Sequence, residues 1–260
     1  MALLVTSITP EHHLSARQFL EDSLRRDPQS AESWSQLAFI LVNDYLNHWN
    51  EAKDSPDSAK EVLRRAEEAV QQALRIDPSV AMAHYADGLV RRAKGDHQGA
   101  LDALDRAVQL DPNFSRAWAQ KANELVMVGR PKEAPPLVLK AIALSPRDPV
   151  LGVFYWIIGR AYFVVADYDN AIVWLRKSVE LSPRFWYNRA YLLAAYALTG
   201  RHSQPEGVVA LTDYHAGFSG YTVERISNLY ANELPHPDAG MQASIQDLYR
   251  GLRTAGVPER

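Results

Sequence analysis

Three polar side chains pose the chemical question in this chain: Arg116, Asn123 and Arg160. Arg116 and Asn123 are seven residues apart, two turns along one face where that stretch is helical. Arg160 stands 37 residues beyond Asn123, one period of the pattern described below plus a three-residue insertion. Two guanidinium groups and an amide set side by side suit an extended peptide bearing a carboxylate, which arginine holds with paired hydrogen bonds. The alternative is that an acidic neighbour neutralises Arg160 within the fold. Catalytic and metal chemistry have no comparable basis. The eight histidines, His12, His13, His48, His84, His97, His202, His215 and His236, are scattered. No two of them have ligand spacing on one helix face beside a carboxylate. The chain carries no glycine-rich phosphate loop, no G-x-S-x-G elbow and no H-E-x-x-H. We therefore expect a non-enzymatic protein with no cofactor and no metal.

Composition narrows the partners. The chain has 260 residues, 47% of them hydrophobic, with a formal net charge of −3 and no cysteine. Charge is spread along the chain, so neither a nucleic-acid footprint nor a membrane-surface patch stands out. The lack of cysteine excludes disulfides, thiol catalysis and cysteine-ligated zinc, and fits a reducing compartment. Ala2-Leu3-Leu4-Val5 is too short for the apolar region of a signal peptide, and no apolar run approaches membrane-spanning length. A cytoplasmic location is the expectation.

The elements that must position these residues repeat. Ala81–Phe114 reads AMAHYADGLVRRAKGDHQGALDALDRAVQLDPNF, with apolar residues every three or four positions on either side of Lys94-Gly95-Asp96. That spacing predicts two amphipathic helices followed by an Asp-Pro stop. Counting Ala81 as position 1, Gly88, Ala100, Ala107 and Pro112 hold positions 8, 20, 27 and 32. A small residue at position 8 lets the second helix approach closely, and Pro at 32 ends the pair. The frame recurs at Ala31, Ser115, Gly152 and, more weakly, Trp186. Between Trp34 and Ala66 it carries 16 extra residues within about Val42–Asp57, including Trp49. Pro205 stands where the last frame wants a small residue, so its second helix is expected to be short.

The expected organisation is thus residues 1–30 as an N-terminal segment and half-repeat helix, residues 31–215 as the array, and residues 216–260 as capping helices. Within the array the repeats fall near 31–80, 81–114, 115–148, 152–185 and 186–215. Two readings fit helix Pro10–Arg26: a natural cap, or a second helix whose first half lies upstream of a cut. The cut is the favoured one. Tyr221–Ala231 reads as a short helix and Met241–Thr254 as a final amphipathic helix covering the last apolar face. His236-Pro237-Asp238 reads as a chance loop.

A period of 34 with these small residues resembles the tetratricopeptide repeat. The resemblance implies an all-α superhelical solenoid of about five helix–turn–helix repeats with capping helices. It also implies that the first helices line a concave groove for a protein or peptide partner. Carried over position by position, the groove candidates are Tyr85, Arg92, Arg116, Gln120, Asn123, Trp156, Arg160, Tyr187 and Tyr191. Members that clasp chaperone tails use a Lys/Asn clamp in this groove; only Asn123 matches here, so that ligand is not expected. The segments LSPRDPVLGVFYWIIGRAYF, YDNAIVWLRKSVELSP and LYRGLRTAGVPE are similar to the repeat region C-terminal to bacterial class III adenylate or guanylate cyclases. Related arrays follow winged-helix regulators. This implies the regulatory or interaction part of a bacterial signalling protein. A self-associating scaffold, with homo-oligomers formed through the ends of the array or the Trp49 insertion, and a small-ligand sensor are the alternatives. For any single groove candidate, packing against a neighbouring helix is as good an account as binding.

Overall fold

Four aspartates and serines set the helix starts. Ser30, Ser58, Asp96 and Asp167 each accept a hydrogen bond from the backbone N–H three residues on, satisfying a donor that the helix itself leaves unpaired. The repeat-to-repeat turns reuse one device. Asp27, Asp77 and Asp111 each accept the backbone N–H two residues ahead, across the following proline, at 3.1, 2.8 and 2.9 Å. These are Asx turns. In three of the repeat-to-repeat turns the proline carbonyl receives a side chain from the fourth residue of the next repeat. Trp34 Nε1 donates to Pro28 O at 2.9 Å, His84 Nε2 to Pro78 O at 2.9 Å and Arg189 Nε to Pro183 O at 3.0 Å.

The computed structural model describes residues 10–47, 58–233 and 239–260, and among them there are helices and no strand. The helices are α1 (Pro10–Arg26), α2 (Ala31–Leu46), α3 (Ala59–Ile76), α4 (Ala81–Ala93), α5 (His97–Leu110), α6 (Ser115–Met127) and α7 (Ala134–Leu144). They continue as α8 (Leu151–Val164), α9 (Tyr168–Leu181), α10 (Trp186–Leu198), α11 (Pro205–Phe218), α12 (Val223–Glu233) and α13 (Ala239–Ala255). Residues 48–57 of the insertion, Trp49 among them, and His236-Pro237-Asp238 lie outside the described residues. No described helix is long and apolar enough to cross a membrane.

Tight turns join the two helices of a repeat. Gly95, Gly129 and Gly200 take φ of 78, 77 and 73°, and Ala166 takes 58° at the corresponding place. The residue after each returns its N–H to a carbonyl five residues back: Asp96 to Arg91, Arg130 to Leu125, Asp167 to Tyr162 and Arg201 to Tyr196. This left-handed C-terminal cap suits glycine and strains alanine. Helix α11 corrects one expectation. It runs 14 residues, because Pro205 falls at its first position, where the missing N–H is no loss.

The chain forms two compact units, Met1–Ala117 and Trp118–Arg260. In the first, α2 pairs with α3 and α4 with α5, while α1 lies on α2. Small residues govern the crossings: a Cβ on Gly88 would come within 2.7 Å of Leu104 Cγ and 3.2 Å of Ala100 O. The core holds Ile40, Leu41, Ala66 and Leu104, all fully buried. Helix α1 is pinned by His13 Nδ1 to Asp44 Oδ1 at 2.7 Å and by Arg65 donating to Glu21 Oε1 at 2.6 Å.

In the second unit α8 pairs with α9, α7 packs on α8, and α10 lies between α9 and α11. The Gly88 device returns at Gly159, whose Cβ would meet Leu175 Cγ at 2.7 Å. Helix α13 makes its main contact with α10 and a further one with α8. Both are first helices of their pairs.

Candidate functional site

The nine groove candidates divide sharply by exposure. Arg92, Arg116, Gln120 and Tyr187 are half-buried. Tyr85, Asn123, Trp156, Arg160 and Tyr191 are buried, with Arg160 at 3% and Tyr191 at 1% exposure. In the first unit Tyr85 is held between rings, 5.8 Å from Phe39 and 4.8 Å from Phe114. Arg92, near the end of α4, and Arg116, which opens α6 at the unit's edge, are the first unit's two half-buried candidates.

The second unit brings four candidates into one cluster with Asn123. Arg160 Nη1 donates to Asn123 Oδ1 at 3.1 Å, Nη2 lies 2.7 Å from Met127 Sδ, and the guanidinium carbon is 5.3 Å from the Trp156 ring. Trp156 in turn meets Tyr187 at 5.5 Å and Tyr191 edge-on at 6.4 Å. Asn123 and Arg160 therefore do meet, as their equal repeat positions predict. The expectation that Arg160 projects into an open groove is corrected: protein surrounds it.

The cover comes from α12 and α13. Tyr230 of α12 places its hydroxyl 2.7 Å from that of Tyr191, and its ring edge-on at 6.5 Å to Tyr187. Burial raises the Tyr230 hydroxyl pKa well above its ordinary value, and the adjacent Tyr191 adds to this. It is a neutral hydrogen-bonding phenol. On α13, Gly251 lies so close to α10 that a Cβ there would come within 2.7 Å of Ala194 Cα. Tyr168 of α9 donates to Asp247 of α13 at 2.7 Å, and burial followed by that carboxylate raises the Tyr168 pKa. The N-terminus of α13, Gly240 and Met241, borders a cleft also lined by Arg130 and Glu133 of one turn and Val164 and Val165 of the next. The buried face of α13 includes Met241, Ile245, Leu248, Tyr249 and Leu252.

Sequence reasoning missed Tyr230, Asp247 and Met127. The 3.6-residue spacing of α13 marks an apolar face, but no repeat position indicates which helices it meets. Among the described residues no group of three His, Asp or Glu side chains is placed to hold a metal.

These helix pairs define an all-α fold of the tetratricopeptide-repeat solenoid class. Residues 60–113 and 153–185 each match the tetratricopeptide repeat. The human tetratricopeptide repeat protein 13 is 32% identical over 114 residues, which is 42% of this chain and 13% of that protein. The chain thus spans only a small part of that curated relative. Among solved structures, one from the APC/C hetero-tetramer Cut9–Hcn1 aligns over 95% of this chain and 45% of its own, with a TM-score of 0.64 at 15% identity. PilW, a type IV pilus biogenesis factor, aligns over 84% of this chain and 91% of its own, with a TM-score of 0.59 at 15% identity. PilF of Pseudomonas aeruginosa aligns over 86% and 92%, with a TM-score of 0.58 at 15% identity. These three likenesses are of fold.

Proposed function

We propose that the chain is a non-enzymatic protein- or peptide-binding module that works through the first-helix face of its second unit. The observation that carries this is the joining of Trp156, Arg160, Tyr187 and Tyr191 across α8 and α10. Aromatic and arginine side chains in one patch are what protein interfaces favour. Tetratricopeptide repeats serve protein interaction, and nothing in this cluster activates a nucleophile or a water. The resemblance of the late repeats to arrays behind cyclases and winged-helix domains supports reading the module as the regulatory part of a cytoplasmic bacterial signalling protein. Fluorescence anisotropy with a panel of amphipathic peptides bearing carboxylates tests the reading. Binding by members of the panel, weakened about tenfold by Tyr187→Ala in a variant that still melts cooperatively above the assay temperature, is expected. A panel of which no member binds refutes it.

Self-association is the second reading, favoured by apolar side chains left in solvent. Phe19 on α1 is 67% exposed and Val209 on α11 is 59% exposed. Light scattering over a concentration series would show growth in mass; a constant monomer mass eliminates this reading.

A further inference from the structure

The binding face proposed above already has an occupant. Counted in the repeat frame, Trp156, Arg160 and Phe163 on α8 and Tyr191 and Ala194 on α10 are groove positions, and all five are buried. The helices set against this face are the chain's own α12 and α13. Tyr230 reaches Tyr191 and Tyr187, Gly251 rests on Ala194, and Asp247 takes the hydroxyl of Tyr168.

The fit is incomplete in a particular way. A helix whose sole task was to close the end of the array would bury an apolar face against an apolar face, with its polar groups satisfied. Here the buried layer contains a guanidinium, an amide and a pair of phenols. Among the described residues Trp156 Nε1, in a residue 7% exposed, has no hydrogen-bond partner, and neither has Ser244 Oγ on the buried side of α13. Unmet buried donors each cost about 1–3 kcal/mol. The Trp156 indole N–H is therefore a hydrogen-bonding group of this face that no described side chain or carbonyl meets, and a helix presenting an acceptor there would use it.

We propose that α13 is a resident, displaceable occupant of a helix-binding face, and that the external ligand is an amphipathic helix of a partner protein. The inference rests on the binding-module reading and states its partner class and control. The resident helix shows what the ligand must carry. A glycine has to face Ala194, because even a Cβ there would come within 2.7 Å of the Ala194 backbone. An apolar stripe like that of Met241, Ile245, Leu248 and Leu252 must flank it. A carboxylate or amide oxygen would serve the Trp156 indole N–H beside Arg160. Closed and open forms then compete, and the apparent affinity for any external helix is reduced by the fraction of chains in which α13 has left.

The test uses the full chain and a labelled synthetic peptide spanning Ala239–Arg260 as the external helix. Gly251→Leu in the chain drives a side chain into the α10 backbone and dislodges the resident helix, while the peptide keeps its own glycine. The variant should bind the peptide at least about tenfold more tightly than the wild type. Equal affinity in a variant that still melts cooperatively overturns the proposal. Hydrogen exchange on the wild type gives an independent reading should the variant fail to fold. Amides of α13 should exchange at least about tenfold faster than those of Ile157–Ala161, through an opening smaller than global unfolding. Equal protection overturns the proposal by making α13 a fixed part of the core. Concentration-dependent dimers that exchange α13 between copies would also overturn it, assigning the face to a second copy. If Gly251→Leu binds the α13 peptide but no acidic helical peptide competes, α13 remains a displaceable occupant, while the external-helix ligand and the binding-module reading both fall.

Discussion

Replacing Arg160 by glutamate should unfold the second unit at lower urea rather than merely silence a surface. Arg160 is 3% exposed. It donates to Asn123 Oδ1 at 3.1 Å, approaches Met127 Sδ at 2.7 Å and lies 5.3 Å from the Trp156 ring. The hydrogen bond from a charged donor contributes about 1.5–3 kcal/mol, and the cation–π contact about 0.5–2 kcal/mol. Relief of the guanidinium's own desolvation offsets part of that sum. A carboxylate in its place faces an amide oxygen, a thioether and ring faces, and an uncompensated buried charge raises the net loss to about 3–5 kcal/mol. Arg160→Met keeps the bulk and adds no charge, so it should cost about 1–2 kcal/mol. Urea denaturation followed by tryptophan fluorescence separates the three proteins. Burial raises the folded-state pKa of the introduced carboxyl above its unfolded value, so its penalty is smallest below the unfolded pKa and grows as pH rises. The gap between wild type and Arg160→Glu should therefore widen from about pH 4 to about pH 7.5. Coincident transitions at both pH values would refute the reasoning, because they would put the guanidinium in solvent and remove the cover assigned to α12 and α13.

Ala166→Gly should stabilise the second unit by about 0.5–1 kcal/mol, since relief of a left-handed alanine is worth about 1–2 kcal/mol and the added freedom of the unfolded chain returns up to about 1; a lower melting temperature would show that the cap at φ 58° is not strained. Gly88→Leu should cost about 1–3 kcal/mol or more through overpacking against Leu104 and the Ala100 carbonyl, whereas Gln98→Leu on the exposed side of α5 should stay within about 0.5 kcal/mol. Coincident thermal melts of those two variants would mean the repeat register is misplaced. Burial raises the Glu21 carboxyl pKa, but Arg65 and Arg17 together bring it below its ordinary value. The contribution of this partly exposed pair is present above the usual carboxylate range, is lost as pH falls through the lowered pKa, and amounts to no more than about 1 kcal/mol. The protection factors of α1 amides, taken against the intrinsic exchange rate at each pH, should fall on acidification, and Glu21→Gln should flatten that response; an unchanged response in the variant would clear Glu21 of the role.

Local chemistry was legible in the chain because its causes are local. The Asp-Pro pairs at Asp77 and Asp111 end a helix through a proline ring and an aspartate that bonds two residues ahead, so the fragment carries its own instruction. Gly88 and Gly159 recur at one place in the frame because two helices must cross there at backbone distance. The same arithmetic put Asn123 and Arg160 at equal positions, and the structure joins them. Pro205 misled by a single position: the frame asked for a small residue, whereas the helix start welcomes a proline.

Exposure of the first-helix face could not be read this way. A repeat position states which way a side chain points, not what lies opposite. Trp156, Arg160 and Tyr191 point where a groove would be, and whether water or protein fills it depends on where a helix some 50 residues or more downstream returns. That return is decided by Gly251 lying on Ala194, by Tyr230 meeting Tyr191 and by Asp247 receiving Tyr168. Each is a contact between residues whose separate spacings say nothing of one another. The sequence alone therefore determined the helical repeat and the shared position of Asn123 and Arg160. Only the tertiary structure decided that the face is covered, because burial belongs to the packed neighbours of a residue and not to the residue itself.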